Sequence, residues 1–157
     1  MGVLGMYVAL ELEGVKPENL IIAEAMHNTV IDNSSFMRLM YSEGNVSFNG
    51  LHIRCPLASM HVERYFHKHR CTFDLGDNKR LIDGLARLED TILWAANVPS
   101  KRRRHGLACQ LSGGFVKIFT EGDQVQGGYE ILLKISGIWE SETEYGITYK
   151  FLIANRL

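Results

Sequence analysis

Two stretches of the chain carry the residue types that could do chemistry: HVERYFHKHRC at His61–Cys71 and KRRRH at Lys101–His105. In the first, Arg64, Lys68 and Arg70 can sit on phosphate oxygens, and Tyr65 and Phe66 can stack on bases. Holding one nucleic-acid strand without reading its sequence needs both ingredients. In the second, Lys101, Arg102, Arg103 and Arg104 repel one another, and an anionic partner such as a phosphate backbone would relieve that repulsion. Two further rings belong with them. Trp139 ends an apolar run beside Glu140, and Phe48 shares a strand parity with His52 and Arg54. The candidate contacts are therefore Arg54, Arg64, Lys68, Arg70 and Lys101–Arg104 for phosphates, with Phe48, Tyr65, Phe66 and Trp139 for bases.

Other chemistries find less support. His67, His69 and Cys71 alternate, and with His61 or Cys55 they could make a tetrahedral zinc site, but the spacing matches no zinc motif. The expectation is no metal and no cofactor. No GxSxG, GxxxxGK[ST], HExxH or GxGxxG occurs. Asp74, Asp77 and Asp83, or Glu140, Glu142 and Glu144, could hold Mg²⁺ in a nuclease. Capping and solvation explain them equally well, and a non-enzymatic protein is expected.

The elements that must position these residues follow from periodicity. Residues 129–153 alternate on both sides of a short acidic link, which predicts a long β-hairpin. Tyr129, Ile131, Leu133, Ile135, Gly137 and Trp139 would share its core face with Ile147, Tyr149, Phe151 and Ile153. Glu130, Lys134, Ser136, Thr148 and Lys150 would take the other face. Phe36–Ser42 and Val46–Leu57 read as strands about a Glu43-Gly44-Asn45 turn, with Asn49-Gly50 as a break in the second. Tyr7–Val15, Cys71–Leu75, Leu107–Leu111 and Phe115–Phe119 are further strand candidates, and Ser100–Gly106 reads as a basic loop. Leu81, Leu85, Leu88 and Ile92 recur at helical steps between a cap at Asp77 or Asn78 and Pro99, predicting an amphipathic helix over 78–96. Strands, one helix, then strands suit a mainly β protein: a small antiparallel Greek-key barrel of the OB type, with an α+β sandwich as the fallback.

At 157 residues and 46% hydrophobic, the chain fits one domain over 1–157, with residues 1–30 a possible extension to the barrel. Net charge is −1, which argues against a globally basic binder. The charge is uneven: ten Lys/Arg against six Asp/Glu from His61 to His105, and six acids against one lysine from Glu121 to Tyr145. Three separated cysteines without a CxxC point to a reducing, intracellular setting, nucleus or cytoplasm. The N-terminus does not read as a signal peptide, and no apolar run approaches a membrane span.

The blocks FMRLMYS…VSFNGLHI, CTFDL followed by a helix, and LLKISGIWE…EYGITYKF resemble OB-type single-stranded-DNA-binding proteins of large DNA viruses and related mobile elements, over about residues 36–153. That resemblance implies coating of single-stranded DNA (RNA being the alternative strand) during replication or recombination, by stacking rings and backbone cations. Such binders also recruit partners, so a replication protein is one expected partner; an exposed sheet edge makes a homo-oligomer the other, and no membrane contact is expected from the absence of a long apolar run. The competing expectation is a structural or protein-interaction module, a component of a virion or a replication complex.

Overall fold

The computed structural model describes residues 2–4, 7–27, 34–65, 68–119 and 129–155. In chain order the elements are β1 (Gly2–Leu4), β2 (Tyr7–Ala9), β3 (Leu20–Ile22), β4 (Met26–His27), β5 (Ser35–Glu43), β6 (Val46–Asn49), β7 (Leu51–Arg54), β8 (Met60–Tyr65) and β9 (Lys68–Phe73). There follow α1 (Lys79–Ala96), β10 (Arg102–Arg104), α2 (Gly106–Ser112), β11 (Phe115–Phe119), β12 (Tyr129–Glu140) and β13 (Glu144–Asn155).

The β12–β13 hairpin is the spine of the fold, paired from Tyr129↔Asn155 to Glu140↔Tyr145. Each of its outer edges is shared by two strands in succession. On β12, β7 pairs with Leu132–Ile135 and β5 with Gly137–Glu140. On β13, β10 runs parallel to Glu144–Gly146 and β11 parallel to Phe151–Leu152. The sheet continues from β11 through β9 to β8, and on the other side from β5 to β3. The two end strands, β3 and β8, are not paired with each other, so the sheet is open and mixed. The mainly β class holds in this coarser form, without the closure of a barrel.

One face of the sheet is roofed by the two helices. Leu85, Ile92 and Leu93 of α1 share one buried core with Leu133, Ile135, Ile138, Tyr145, Ile147 and Phe151 of the hairpin. Each such aliphatic burial contributes roughly 1.5–3 kcal/mol. The predicted helix is found one residue shorter at its start. Asn78 occupies the N-cap position, yet its amide donates to the carbonyls of Ala58 and Asp74 instead of capping the helix. Asn97 ends the helix in the left-handed region.

Two local expectations are corrected. Leu107–Leu111 is helical, because its buried residues recur at a step of four, not two. The Glu89 carboxylate, fully buried, accepts the backbone N–H groups of Leu107 (2.8 Å) and Ala108 (2.9 Å) and so satisfies the first turn of α2. Burial raises the Glu89 carboxyl above its usual range, and those two donors oppose the shift. The Ser100–Gly106 loop contains the strand β10, held by its parallel register with β13. Tyr7–Val15 is a strand only to Ala9, after which Leu12–Gly14 forms a single 3-10 turn. Asn49-Gly50 does break the second run: Gly50 has φ of +80° and separates β6 from β7. The N-terminal segment joins the same body through the Leu10–Ile53 bridge and the β3–β5 pairing. No helix among the described residues is long and apolar enough to cross a membrane.

Candidate functional site

The site follows from one irregularity. The β12–β13 register shifts between Ile135 and Gly137, leaving Ser136 as a bulge. A one-residue bulge flips every later side chain to the opposite face. Ile138, not Gly137 or Trp139, therefore enters the core opposite Ile147. Trp139 moves to the face away from the helices, the face that carries Lys134, Thr148 and Lys150. The expected grouping of Gly137 and Trp139 with Ile131, Leu133 and Ile135 is thereby overturned.

On this outer face a line of cations crosses the strands. Lys134 lies directly opposite Lys150, and His52 of β7 lies opposite Lys134. Ile118 pairs with Phe151 in parallel register, which brings Lys117 beside Lys150, and Lys117 is opposite Arg70 of β9. Strands lie about 4.8 Å apart, so Lys134, Lys150, Lys117 and Arg70 span roughly 15 Å. Like charges directly opposite one another are destabilising. Lys117, Lys134 and Lys150 form no ion pair with an acid among the described residues. The repulsion is felt at His52. Burial first, then Lys134 and Lys150, bring its pKa down to about 4.

Rings flank this line on both sides. Phe119, 42% exposed, lies under the Lys68 ammonium at 5.3 Å. Phe115 lies under the Arg70 guanidinium at 4.2 Å. On the side toward the hairpin tip, Trp139 covers Gly146 and Phe36 covers Gly137. A Cβ on Gly146 would stand 2.8 Å from the indole, and one on Gly137 would stand 2.5 Å from the Phe36 ring. Glycine at these two positions lets both rings lie against the sheet. Beyond Phe119 the face closes over a small buried cluster of Ala9, Leu132, Leu152 and Ala154.

Between β10 and β11 the edge of β13 is bare: among the described residues no strand pairs there with Ile147–Lys150. A recess of about 360 Å³ opens at this notch, lined by Lys117, Phe119, Trp139, Thr148 and Lys150 from the outer face, with Gln110 and Tyr149 behind. A larger hollow of about 460 Å³ lies beside Cys55, Pro56 and Met60. Its charged groups are already joined to one another, Arg54 to Glu11 (2.9 Å) and to Glu130 (3.0 Å), so the smaller recess is the better candidate.

The residues singled out in the sequence divide accordingly. Lys68, Arg70 and Trp139 lie on the outer face. Arg102 and Arg104 reach it too, by register with Glu144 and Gly146, but both are paired with the Glu144 carboxylate at 2.6 and 3.6 Å. Arg103 turns to the helix side, where it stacks on Trp94 at 4.0 Å and donates to the Tyr145 hydroxyl. Lys101 donates to Glu140 and to the Ser141 carbonyl. Arg54 is held by its two glutamates, and Phe48 is half-buried against the core. Arg64 is exposed on β8 across from buried His69, on the parity opposite to Lys68 and Arg70. Tyr65 is in β8 opposite Lys68. Phe66 and His67 lie outside the described residues.

The HxHxC alternation puts His69 and Cys71 into the core. Burial raises the Cys55 thiol to about 12 and the Cys71 thiol to about 11, which removes both as thiolate ligands near neutrality. Among the described residues no group of three His, Cys, Asp or Glu could hold a metal ion. Sequence reasoning missed Lys117, Lys134 and Lys150 as a unit, with Phe36, Phe115 and Phe119. The usable signal was alternation, since Phe115, Lys117 and Phe119 share one parity of their strand, and Lys134 and Lys150 one parity of theirs.

Comparison of the chain with protein-family models, with curated proteins and with solved structures returned no match.

Proposed function

We propose that this protein binds single-stranded nucleic acid, DNA by preference, on the outer face of its sheet, and that it does so without catalysing a reaction. The observation that carries this reading is the line of Lys134, Lys150, Lys117 and Arg70 on neighbouring strands, with Phe119, Phe115 and Trp139 beside it. Three of these cations have no acid to answer them among the described residues, so a phosphate backbone laid across the strands would relieve their mutual repulsion. The rings offer faces to bases that a duplex would keep stacked inside itself. The chain's net charge of −1 does not oppose this, because Lys134, Lys150, Lys117 and Arg70 share one face. Coating or protecting exposed strands during replication or recombination is the role this chemistry suits. It asks only for an open, basic, ring-bearing sheet, and a closed OB barrel is one way to make such a surface among others.

The test is a fluorescence titration of labelled oligo(dT) at two salt concentrations, with duplex competitor. Each phosphate neutralised on a single strand contributes about 0.7 to the slope of log affinity against log salt. Four row cations therefore predict a slope near −3, with poor competition by duplex. Salt-independent binding, or none, overturns the reading.

A further inference from the structure

We infer that the recess between β10 and β11 accepts one unstacked nucleobase and reads its hydrogen-bonding edge, an inference that rests on the reading above and adds a base-binding subsite to it. The recess lies where the cationic line passes from β13 to β11, so a phosphate held by Lys150 and Lys117 would set its own base over the notch. At about 360 Å³ it is at the small end of ligand sites, scaled to one base and not to a stacked run.

Its polar groups suit a base edge. Alternate residues of an antiparallel strand direct both N–H and C=O away from their partner. The bare stretch Ile147–Lys150 therefore presents backbone donors and acceptors to the notch. The Thr148 hydroxyl stands at the same place. Gln110 is held from behind: the Tyr149 hydroxyl donates to its Oε1, which aims the amide NH₂ elsewhere as a donor. The Gly106 carbonyl, 3.3 Å from the same hydroxyl, competes with Gln110 for its single proton. Trp139 and Phe119 stand at the two ends of the recess, where neighbouring bases would lie. Backbone groups, an amide and a hydroxyl all match the donor and acceptor pattern of a base edge, and none of them is needed to bind phosphate.

The test compares oligo(dT) with an abasic deoxyribose-phosphate polymer of equal length, so that phosphate count is constant and only the bases differ. The proteins are wild type and the double variant Gln110→Ala/Thr148→Val, with Thr148→Val alone replacing the double variant if that one is unfolded by circular dichroism. The wild type is expected to bind the abasic polymer with the same salt slope but to prefer oligo(dT). In the variant that preference should shrink by about 5- to 150-fold, the range for losing one hydrogen-bonded base-edge contact, while abasic binding stays unchanged. An unaltered preference in the variant, or no preference in the wild type, overturns the subsite. Failure of the wild type to bind the abasic polymer in a salt-dependent way instead counts against the phosphate-binding line itself.

Discussion

Two groups of four cations can be compared directly. Lys101, Arg102, Arg103 and Arg104 are consecutive in the chain. Lys134, Lys150, Lys117 and Arg70 are scattered over 81 positions, counting from 70 to 150 inclusive, and meet only through strand register. The consecutive group is almost wholly engaged within the protein: Lys101 with Glu140, Arg102 and Arg104 with Glu144, Arg103 with Trp94 and Tyr145. The scattered group faces outward, with Arg70 over a ring and its three lysines unanswered by acids among the described residues. A basic run beside an acidic hairpin link finds its counter-charges within the fold. Among the cations assembled by pairing of distant strands, Arg70 has Glu63 across from it on β8, while Lys117, Lys134 and Lys150 have no acid partner among the described residues, and these lysines would be the part of the surface open to an external anion.

The largest effect should come from removing the scattered group. Lys117→Gln/Lys134→Gln/Lys150→Gln is expected to reduce the salt slope by about 2 and to weaken oligo(dT) binding on the order of 100-fold, with unfolding midpoints held or raised. An unchanged slope would break the comparison. Next is Trp139→Ala, expected to cost about 1–3 kcal/mol of binding with little change in slope, as measured by the same titration. The comparison sharpens with Glu144→Gln, which frees Arg102 and Arg104 on the outer face. Binding should tighten by about 1 kcal/mol and the slope steepen by up to about 1.4, for two added phosphate contacts. These pairs are exposed enough that folding stability should fall by under about 1 kcal/mol. By contrast, Arg102→Gln/Arg104→Gln should shift the slope by less than about 0.5.

The smallest effect concerns His52. Its pKa of about 4 in the folded protein lies below the roughly 6.5 of an unfolded histidine. Between these values the unfolded chain holds the extra proton, so stability is lost as pH falls from about 6.5 toward 4. Urea midpoints measured at pH 7 and pH 4.5 should fall further in the wild type than in His52→Gln. Equal falls would show that neither burial nor the two lysines lowers the His52 pKa in the folded protein.

Much of the fold was legible. The final hairpin, the amphipathic helix and the break at Asn49-Gly50 follow from period and turn chemistry, and each stands in the structure. The Ser136 bulge was not legible, because nothing in an alternating run marks where one residue drops out of register. That single shift reversed Trp139. In the sequence Leu107, Cys109 and Leu111 read as an alternating strand, and only the structure shows Cys109 exposed and Glu89, 18 positions from Leu107, accepting from the first turn of a helix. The site was half visible. Lys68, Arg70 and Trp139 were chosen for their types, but their partners Lys117, Lys134 and Lys150 are isolated lysines that only strand order makes neighbours. Arg54 and Lys101–Arg104 were chosen for charge alone, which could not foretell the glutamates that hold most of them.

The most direct measurement uses the protein's two tryptophans, which mark its two sides. Trp94, 60% exposed, is on α1 under Arg103; Trp139 lies on the outer face at the recess. An oligo(dT) carrying 5-iodouracil is irradiated with the wild-type protein, and the crosslinked peptides are identified by mass spectrometry. Crosslinks at Trp139, Phe119 or Phe115, and none at the more exposed Trp94, are the predicted result. Crosslinking concentrated at Trp94 and the Lys101–Arg104 segment would contradict it.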